Sequence, residues 1–172
     1  MDCILMRHGI AIDGEAWDGP DETRPLTGQG KKKLREAARG LAAMGLSPTH
    51  ILSSPLTRAR ETARLVRESI GSSPDIVECK ELAPGTSPEQ LTALLSGLPS
   101  DALVLCIGHE PLLGETAGYW LTGRSRKNFP LKKAGALHVR FDQTVAAGQG
   151  ILRWCCQPAQ LRLIGERRPN AR

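Results

Sequence analysis

Residues 3–9 read CILMRHG, an apolar run followed directly by arginine, histidine and glycine. Four consecutive apolar residues bounded by polar ones are typical of a strand that is buried on both faces. Arg7 and His8 are therefore predicted to leave the end of a buried strand, with Gly9 directly after them. A guanidinium beside an imidazole in that position favours a site for a phosphoryl group.

Two later segments repeat this order of apolar strand and polar residue. Residues 51–54 (ILSS) lead to Arg58, and residues 102–107 (ALVLCI) lead to Gly108 and His109. In parallel α/β sheets, ligands bind at the carboxyl ends of the strands. We therefore expect His8, Arg58 and His109 to meet at one edge of a sheet and to converge on one oxyanion.

Segments with helical patterns separate these strands. A helix is predicted from Thr27, whose hydroxyl can cap it, to Met44; another is predicted to begin with Ser54 as its cap and Pro55 at its first position. Further helices are expected after Ser87, in a capping box, and from Pro111, and further strands over 75–79, 135–141 and 151–155. The alternation predicts a three-layer α/β/α sandwich around a mostly parallel sheet.

The length of 172 residues indicates a single domain, which we assign to residues 1–165, followed by a frayed basic tail over 166–172. The formal net charge is +5, but aromatic residues make up only 3% of the chain, too few to stack nucleic-acid bases. The charge is better explained by attraction of phosphorylated substrates than by nucleic-acid binding. We expect a monomer.

The chain carries no signal for a membrane. No apolar stretch approaches the ~20 residues of a transmembrane helix, and the amino terminus lacks the features of a signal peptide. A cytoplasmic protein is therefore expected. Its five cysteines form no Cys-x-x-Cys pair, so reduced thiols are predicted rather than zinc ligands or disulfides. The spacing from Cys156 to Arg162 matches that of cysteine-based phosphatases, but the segment has no glycines to shape a phosphate loop.

Three segments together resemble the histidine phosphatase superfamily, which has the phosphoglycerate mutase-like fold: residues 5–9 (LMRHG), 53–62 (SSPLTRARET) and 108–111 (GHEP). Residues 24–27 (RPLT) and 82–85 (LAPG), the small size, and a tail of the form Trp-x-x-x-Pro-x-x-Leu are similar to the SixA-type phosphohistidine phosphatases within it. The resemblance runs nearly from end to end of the chain.

The resemblance implies that His8 is the nucleophile and that Arg7, Arg58 and His109 bind the phosphoryl oxygens, with Gly9 also at the phosphate. Elementary chemistry agrees, because a neutral imidazole is nucleophilic near neutral pH and arginine presents permanent, planar donors to phosphate. Phosphoryl transfer is catalysed mainly by such fixed charges. Neither a metal nor any other cofactor is expected.

The general acid is less determined. SixA-type proteins have an aspartate three residues before the Arg-Pro-Leu-Thr run, and Asp21 occupies that place. Asp18 in the same loop and Glu81, near the position where larger relatives carry a glutamate, are the alternatives. His50 and His138 are predicted to be structural, because one opens a strand and the other alternates with apolar neighbours.

The predicted function is removal of phosphate from phosphohistidine on a partner protein, such as a histidine phosphotransfer domain, through a phospho-His8 intermediate. An imidazole leaves more easily than an alcohol, whose pKa is ~16, so a weak acid favours phosphoramidates over esters. Two alternatives stay open. One is a phosphatase for small phosphomonoesters with the same mechanism, and the other is a phosphoprotein-binding module with little turnover.

Overall fold

The computed structural model describes residues 1–126 and 128–166. Its strands are β1 (Asp2–Arg7), β2 (His50–Ser53), β3 (Ile76–Glu78), β4 (Leu103–Gly108), β5 (Ala136–Arg140) and β6 (Ile151–Cys156). Its α-helices are α1 (Gly28–Ala43), α2 (Thr57–Ile70), α3 (Pro88–Ser96), α4 (Leu112–Thr122) and α5 (Pro158–Glu166). Short 3-10 helices cover Asp21–Thr23 and Lys80–Leu82.

The strands form one sheet in the order β3-β2-β4-β1-β5-β6. The pairs β2–β3, β2–β4 and β1–β4 are parallel, whereas β5 pairs with β1, and β6 with β5, in antiparallel fashion. The sheet is thus mostly parallel, as predicted, and the two late strands joined by a glycine-containing turn form its antiparallel edge.

Alternate side chains of β1 belong to two separate cores. Cys3 and Leu5 pack with α3 and α4 on one face, while Ile4 and Met6 pack with α1, α2 and α5 on the other. All four residues are fully buried, and burying each large apolar side chain stabilises the fold by about 1.5–3 kcal/mol. Helices on both faces confirm the predicted three-layer sandwich.

Local signals correctly predict several helix termini. The Thr27 hydroxyl accepts a hydrogen bond from the Gly30 amide at 2.8 Å, and Ser87 with Gln90 forms the expected capping box. The start of α2 was predicted wrongly: the helix begins at Thr57, not after Ser54. The Ser54 amide still donates to the Ile107 carbonyl oxygen of β4 at 2.9 Å, so hydrogen bonding to the sheet continues as far as Ser54 and the helix begins later.

Helix α5 was not predicted from the sequence. It lies against α1, where a Cβ on Gly40 would come within 2.0 Å of the Leu161 carbonyl oxygen, so only glycine allows this approach. The helix continues to Glu166, and the rest of the predicted frayed tail, residues 167–172, lies outside the described residues. The assignment of residues 1–165 to one domain stays a prediction. Within the described part of the chain, no helix is long and apolar enough to cross a membrane.

Candidate active site

The carboxyl ends of β1, β2 and β4 meet at one edge of the sheet. Arg7 of β1 is in register with Gly108 of β4, and Ser53 of β2 is in register with Ile107. Parallel pairing therefore carries the residues that follow β1 and β4 to the same place. The rings of His8 and His109 lie there with their centroids 4.9 Å apart.

The His8 ring has a defined tautomer. Its Nδ1 lies 2.7 Å from the carbonyl oxygen of Gly9, and because a carbonyl only accepts, Nδ1 must carry the proton. In the neutral ring, Nε2 then keeps its lone pair. Burial, followed by the neighbouring His109, lowers the pKa of His8 from 6.5 to about 3. The free protein thus holds an unprotonated imidazole nitrogen at neutral pH.

The His109 ring is bound by a serine hydroxyl. Its Nε2 lies 2.9 Å from Ser54 Oγ, and the same oxygen accepts a bond from the Leu56 amide. The Ser54 hydroxyl therefore fixes the orientation of the His109 ring. Burial, and then Arg58, lowers the pKa of His109 to about 3.

Arg58 projects from the first turn of α2 and is 4% exposed. Its Nη1 donates to the Asp21 carbonyl oxygen at 2.8 Å and its Nη2 to Asp21 Oδ2 at 2.9 Å. Its Nε and that of Arg7 are buried without a partner among the described residues. Buried donors without a partner are costly, and an anion is the species that would satisfy them.

Glu110, for which no role was predicted, holds Arg7 in place through Leu131. Arg7 Nη1 donates to the Leu131 carbonyl oxygen at 2.8 Å, and the Leu131 amide donates to Glu110 Oε1 at 2.7 Å. Glu110 Oε2 also accepts from the Gly114 amide. The position of Glu110 directly after His109 was the available signal, but its partner lies 21 residues away in the sequence.

The Gly9 amide is hydrogen-bonded within the protein, and the place of Gly9 at the phosphate stays a prediction. Its N–H donates to Thr62 Oγ1 at 3.0 Å, and its carbonyl accepts from His8. Thr62 in turn donates to the Arg58 carbonyl oxygen at 2.7 Å. Gly9 and Thr62 therefore position His8 relative to α2. The spacing of Thr62, one helical turn after Arg58, was a signal for this contact.

Of the three candidate acids, Asp21 is the one that contacts an arginine of the site. Its Oδ1 accepts from Arg24 and its Oδ2 from Arg58. The hydrogen bond from Arg24, together with Arg58, lowers the pKa of this carboxyl, whose side chain is 56% exposed. Asp18 is exposed in the same loop. Glu81 lies half-buried in the short helix Lys80–Leu82, which packs against Gly108.

The other two histidines, for which structural roles are predicted, lie away from this edge. His138 Nε2 pairs with Asp2 Oδ1 at 2.7 Å, and His50 Nδ1 contacts Thr49 Oγ1 at 2.9 Å. The spacing from Cys156 to Arg162 forms no phosphate loop, because Cys156 ends β6 and Arg162 lies within α5.

Comparison with known proteins places this geometry in a family. Residues 3–83 match the model of the histidine phosphatase superfamily, branch 1. An uncharacterized protein of Picosynechococcus sp. is 36% identical over 143 residues, which cover 81% of this chain and 85% of that protein. The phosphohistidine phosphatase SixA of Escherichia coli is 28% identical over 166 residues, 95% of this chain and 98% of its own.

A solved structure supports the same family. The protein histidine phosphatase SixA, determined in complex with tungstate, superimposes with a TM-score of 0.81 and 27% identity, covering 94% of this chain and 99% of that one. The match therefore extends over the sheet, the helices on both faces and the edge that carries the two histidines. The chain belongs to the histidine phosphatase superfamily and is, by class of enzyme, a phosphatase.

Proposed function

We propose that this phosphatase removes the phosphoryl group from a phosphohistidine on a partner protein, through a phosphorylated His8. The observation that carries the proposal is the His8 ring, whose Nδ1 is tied to the Gly9 carbonyl oxygen while Nε2 keeps a lone pair. A buried, unprotonated imidazole nitrogen next to two arginines is a nucleophile for an electrophilic phosphorus.

The reaction has two steps. In the first, His8 Nε2 attacks phosphorus, the P–N bond of the substrate breaks, and its electron pair returns to the substrate imidazole, which departs neutral because its other nitrogen carries a proton. In the second, water attacks the phosphorus of phospho-His8. The P–N bond to His8 breaks, and the products are inorganic phosphate and free His8, with the proton of the water released to solvent.

Arg7, Arg58 and His109 are assigned to the equatorial oxygens of the phosphoryl group. Hydrogen bonds to Leu131, Asp21 and Ser54 hold the three groups before substrate arrives. Such donors need no reorganisation during the reaction, which is the main source of catalysis in phosphoryl transfer.

Asp21 is assigned to positioning Arg58 rather than to proton donation. Because Arg24 and Arg58 lower its pKa, its carboxyl is ionised near neutral pH and holds no proton to donate. An alcohol leaving group needs such a proton, whereas a protonated imidazole leaves without one. This property of the site favours phosphoramidates over phosphate monoesters.

The similarity to SixA, which is named a phosphohistidine phosphatase and a protein histidine phosphatase, supports a protein substrate for this chain too. We propose a histidine phosphotransfer domain as the partner and, consequently, signal transduction as the process. All five cysteines are free thiols, which supports the reducing cytoplasm as the compartment. We propose that the enzyme acts as a monomer.

Trapping of the phosphoenzyme tests the mechanism. The protein is mixed with phosphoramidate, quenched in alkali and digested, and the phosphorylated peptide is identified by mass spectrometry. We expect an alkali-stable, acid-labile phosphate on His8, lost in His8→Asn and retained in His50→Asn. Phosphate on any other residue, or turnover that survives His8→Asn, would overturn the mechanism.

A substrate panel tests the substrate class. The rates for phosphoramidate and a phosphohistidine peptide are compared with those for sugar phosphates and phosphoserine. Faster turnover of the P–N substrates supports the proposal, and a preference for esters would identify a monoesterase with the same nucleophile. Tight binding of the peptide without turnover would instead identify a binding module.

A further inference from the structure

A hollow of about 400 Å³ opens beside Arg7, between the amino-terminal part of α1, the segment that precedes β5, and α5. Besides Arg7, its lining includes four more cationic side chains, those of Lys33, Lys132, Lys133 and Arg162. Its other lining residues are apolar or glycine, and no aspartate or glutamate is among the described residues that line it. We call this feature the basic hollow.

The loop that carries two of these lysines is held firmly against the active site. The Ala134 amide lies 3.1 Å from both the Arg7 and His8 carbonyl oxygens, and the Gly135 amide donates to the Lys132 carbonyl at 2.7 Å. Ala134 has a φ of +67°, a left-handed conformation that is unfavourable for alanine. The Lys132 amide is bound by Gln157 at 2.9 Å. These hydrogen bonds therefore hold the loop in a defined conformation.

The positive charges of the hollow are poorly compensated within the protein. Lys33, Lys132 and Lys133 make no ion pair with any described residue, and Arg162 reaches Glu36 only at 3.9 Å. The Nε of Arg7 is buried without a partner in the described structure. Clustered cations with apolar walls between them focus a positive potential, so the hollow should attract a polyanionic group.

We propose that the basic hollow binds carboxylate side chains of the phosphorylated partner protein, next to the phosphohistidine that enters the active site. The inference rests on the proposed function. Because Arg7 lines the hollow and is also assigned to the phosphoryl group, a ligand in the hollow would contact a residue of the active site. Among the described residues, no aromatic side chain lines the hollow to stack a nucleotide base, and the volume of the hollow suits a few side chains. The match of charge thus favours acidic residues on a protein surface.

The test compares two phosphohistidine peptides of equal length, one flanked by glutamates and one by glutamines. The triple variant Lys33→Gln, Lys132→Gln, Lys133→Gln is measured beside a control, Lys32→Gln, Arg124→Gln, Arg153→Gln, which removes the same charge from exposed positions outside the hollow. For the unaltered protein we expect a KM about tenfold lower for the acidic peptide, as three weak ion pairs together would give.

The triple variant should lose this preference while its kcat for phosphoramidate stays unchanged, and the control should keep the preference. Equal KM values for both peptides with the unaltered enzyme, or equal losses in the two variants, would overturn the inference. Tighter binding of pyrophosphate than of the acidic peptide, abolished by the same three substitutions, would overturn it in favour of a small polyanion site.

Fluorescence anisotropy with a labelled, unphosphorylated acidic peptide separates this inference from the proposed function. Binding that depends on the three lysines supports the hollow even when no phosphohistidine is hydrolysed. If the rate of phosphohistidine hydrolysis is unchanged by the three substitutions and the acidic peptide does not bind, the proposed role of the basic hollow is contradicted. The phosphatase mechanism is then left intact.

Discussion

Acid should destabilise this protein through the two histidines whose rings lie next to each other in the site. His8 is 6% exposed and His109 is 3% exposed, and the pKa of each falls from 6.5 to about 3 in the folded protein. Between these values the unfolded chain binds more protons than the folded one. The stability that each neutral imidazole contributes is therefore complete above about pH 6.5 and is lost progressively as the pH falls toward 3.

The magnitude follows from the same shift. One histidine with these pKa values loses about 2 kcal/mol of unfolding free energy between about pH 8 and about pH 5. Two such histidines lose about 4 kcal/mol, a large part of the 5–15 kcal/mol that is typical of a folded domain. Replacing either histidine by glutamine should remove about half of this loss, because glutamine does not titrate.

The assay is urea unfolding in phosphate-free buffers at the two pH values, followed by tryptophan fluorescence, to which the fully buried Trp120 contributes. The proteins are the unaltered chain, His8→Gln, His109→Gln and the control His50→Gln, whose histidine lies away from the site. The control should keep the full pH dependence. If His8→Gln and His109→Gln lost as much stability in acid as the unaltered protein, the buried-imidazole argument would be refuted.

Three further outcomes are expected. Arg58→Ala should lower kcat for phosphoramidate by about 100-fold or more, whereas Asp21→Asn should cost about tenfold; equal losses in steady-state assays would contradict the positioning role of the aspartate. Glu110→Ala should raise the KM for phosphoramidate about tenfold with an unchanged circular dichroism spectrum, because the substitution frees the Leu131 backbone that holds Arg7. Gly40→Ala should destabilise by about 1–3 kcal/mol in thermal unfolding through overpacking against α5, while Gly28→Ala, with nothing within 4 Å of its Cβ, should stabilise slightly.

Much of the architecture follows from local patterns. Several features depend only on residues that are close in sequence. They are the apolar runs of β1 and β4, the Thr27 cap and the Ser87 capping box. Parallel pairing of β1 with β4 then carries His8 and His109 to one edge, because residues that follow neighbouring parallel strands must lie side by side. The alternation of strands and helices was enough to predict that both residues lie at one edge of the sheet, whereas the adjacency of β1 and β4 is seen only in the structure.

Contacts between distant segments could not be predicted in this way. Asp21 binds Arg58 across 37 residues, and this contact is the basis for our proposal that the predicted acid positions the arginine instead. The hydroxyl predicted to cap α2, that of Ser54, instead binds His109, and α5 was missed because its docking depends on a glycine in α1.

The chain's sequence alone determined the nucleophile candidate, the sheet edge and the family resemblance, since each depends on short motifs and their order. The tertiary structure decided which nitrogen of His8 is free, what holds Arg7 and Arg58, and that Lys33 shares a hollow with Lys132. The physical reason is that protonation, pKa and charge clustering depend on burial and on neighbours within a few ångströms. Those neighbours are chosen by the packing of helices and loops, which periodicity along the chain does not encode.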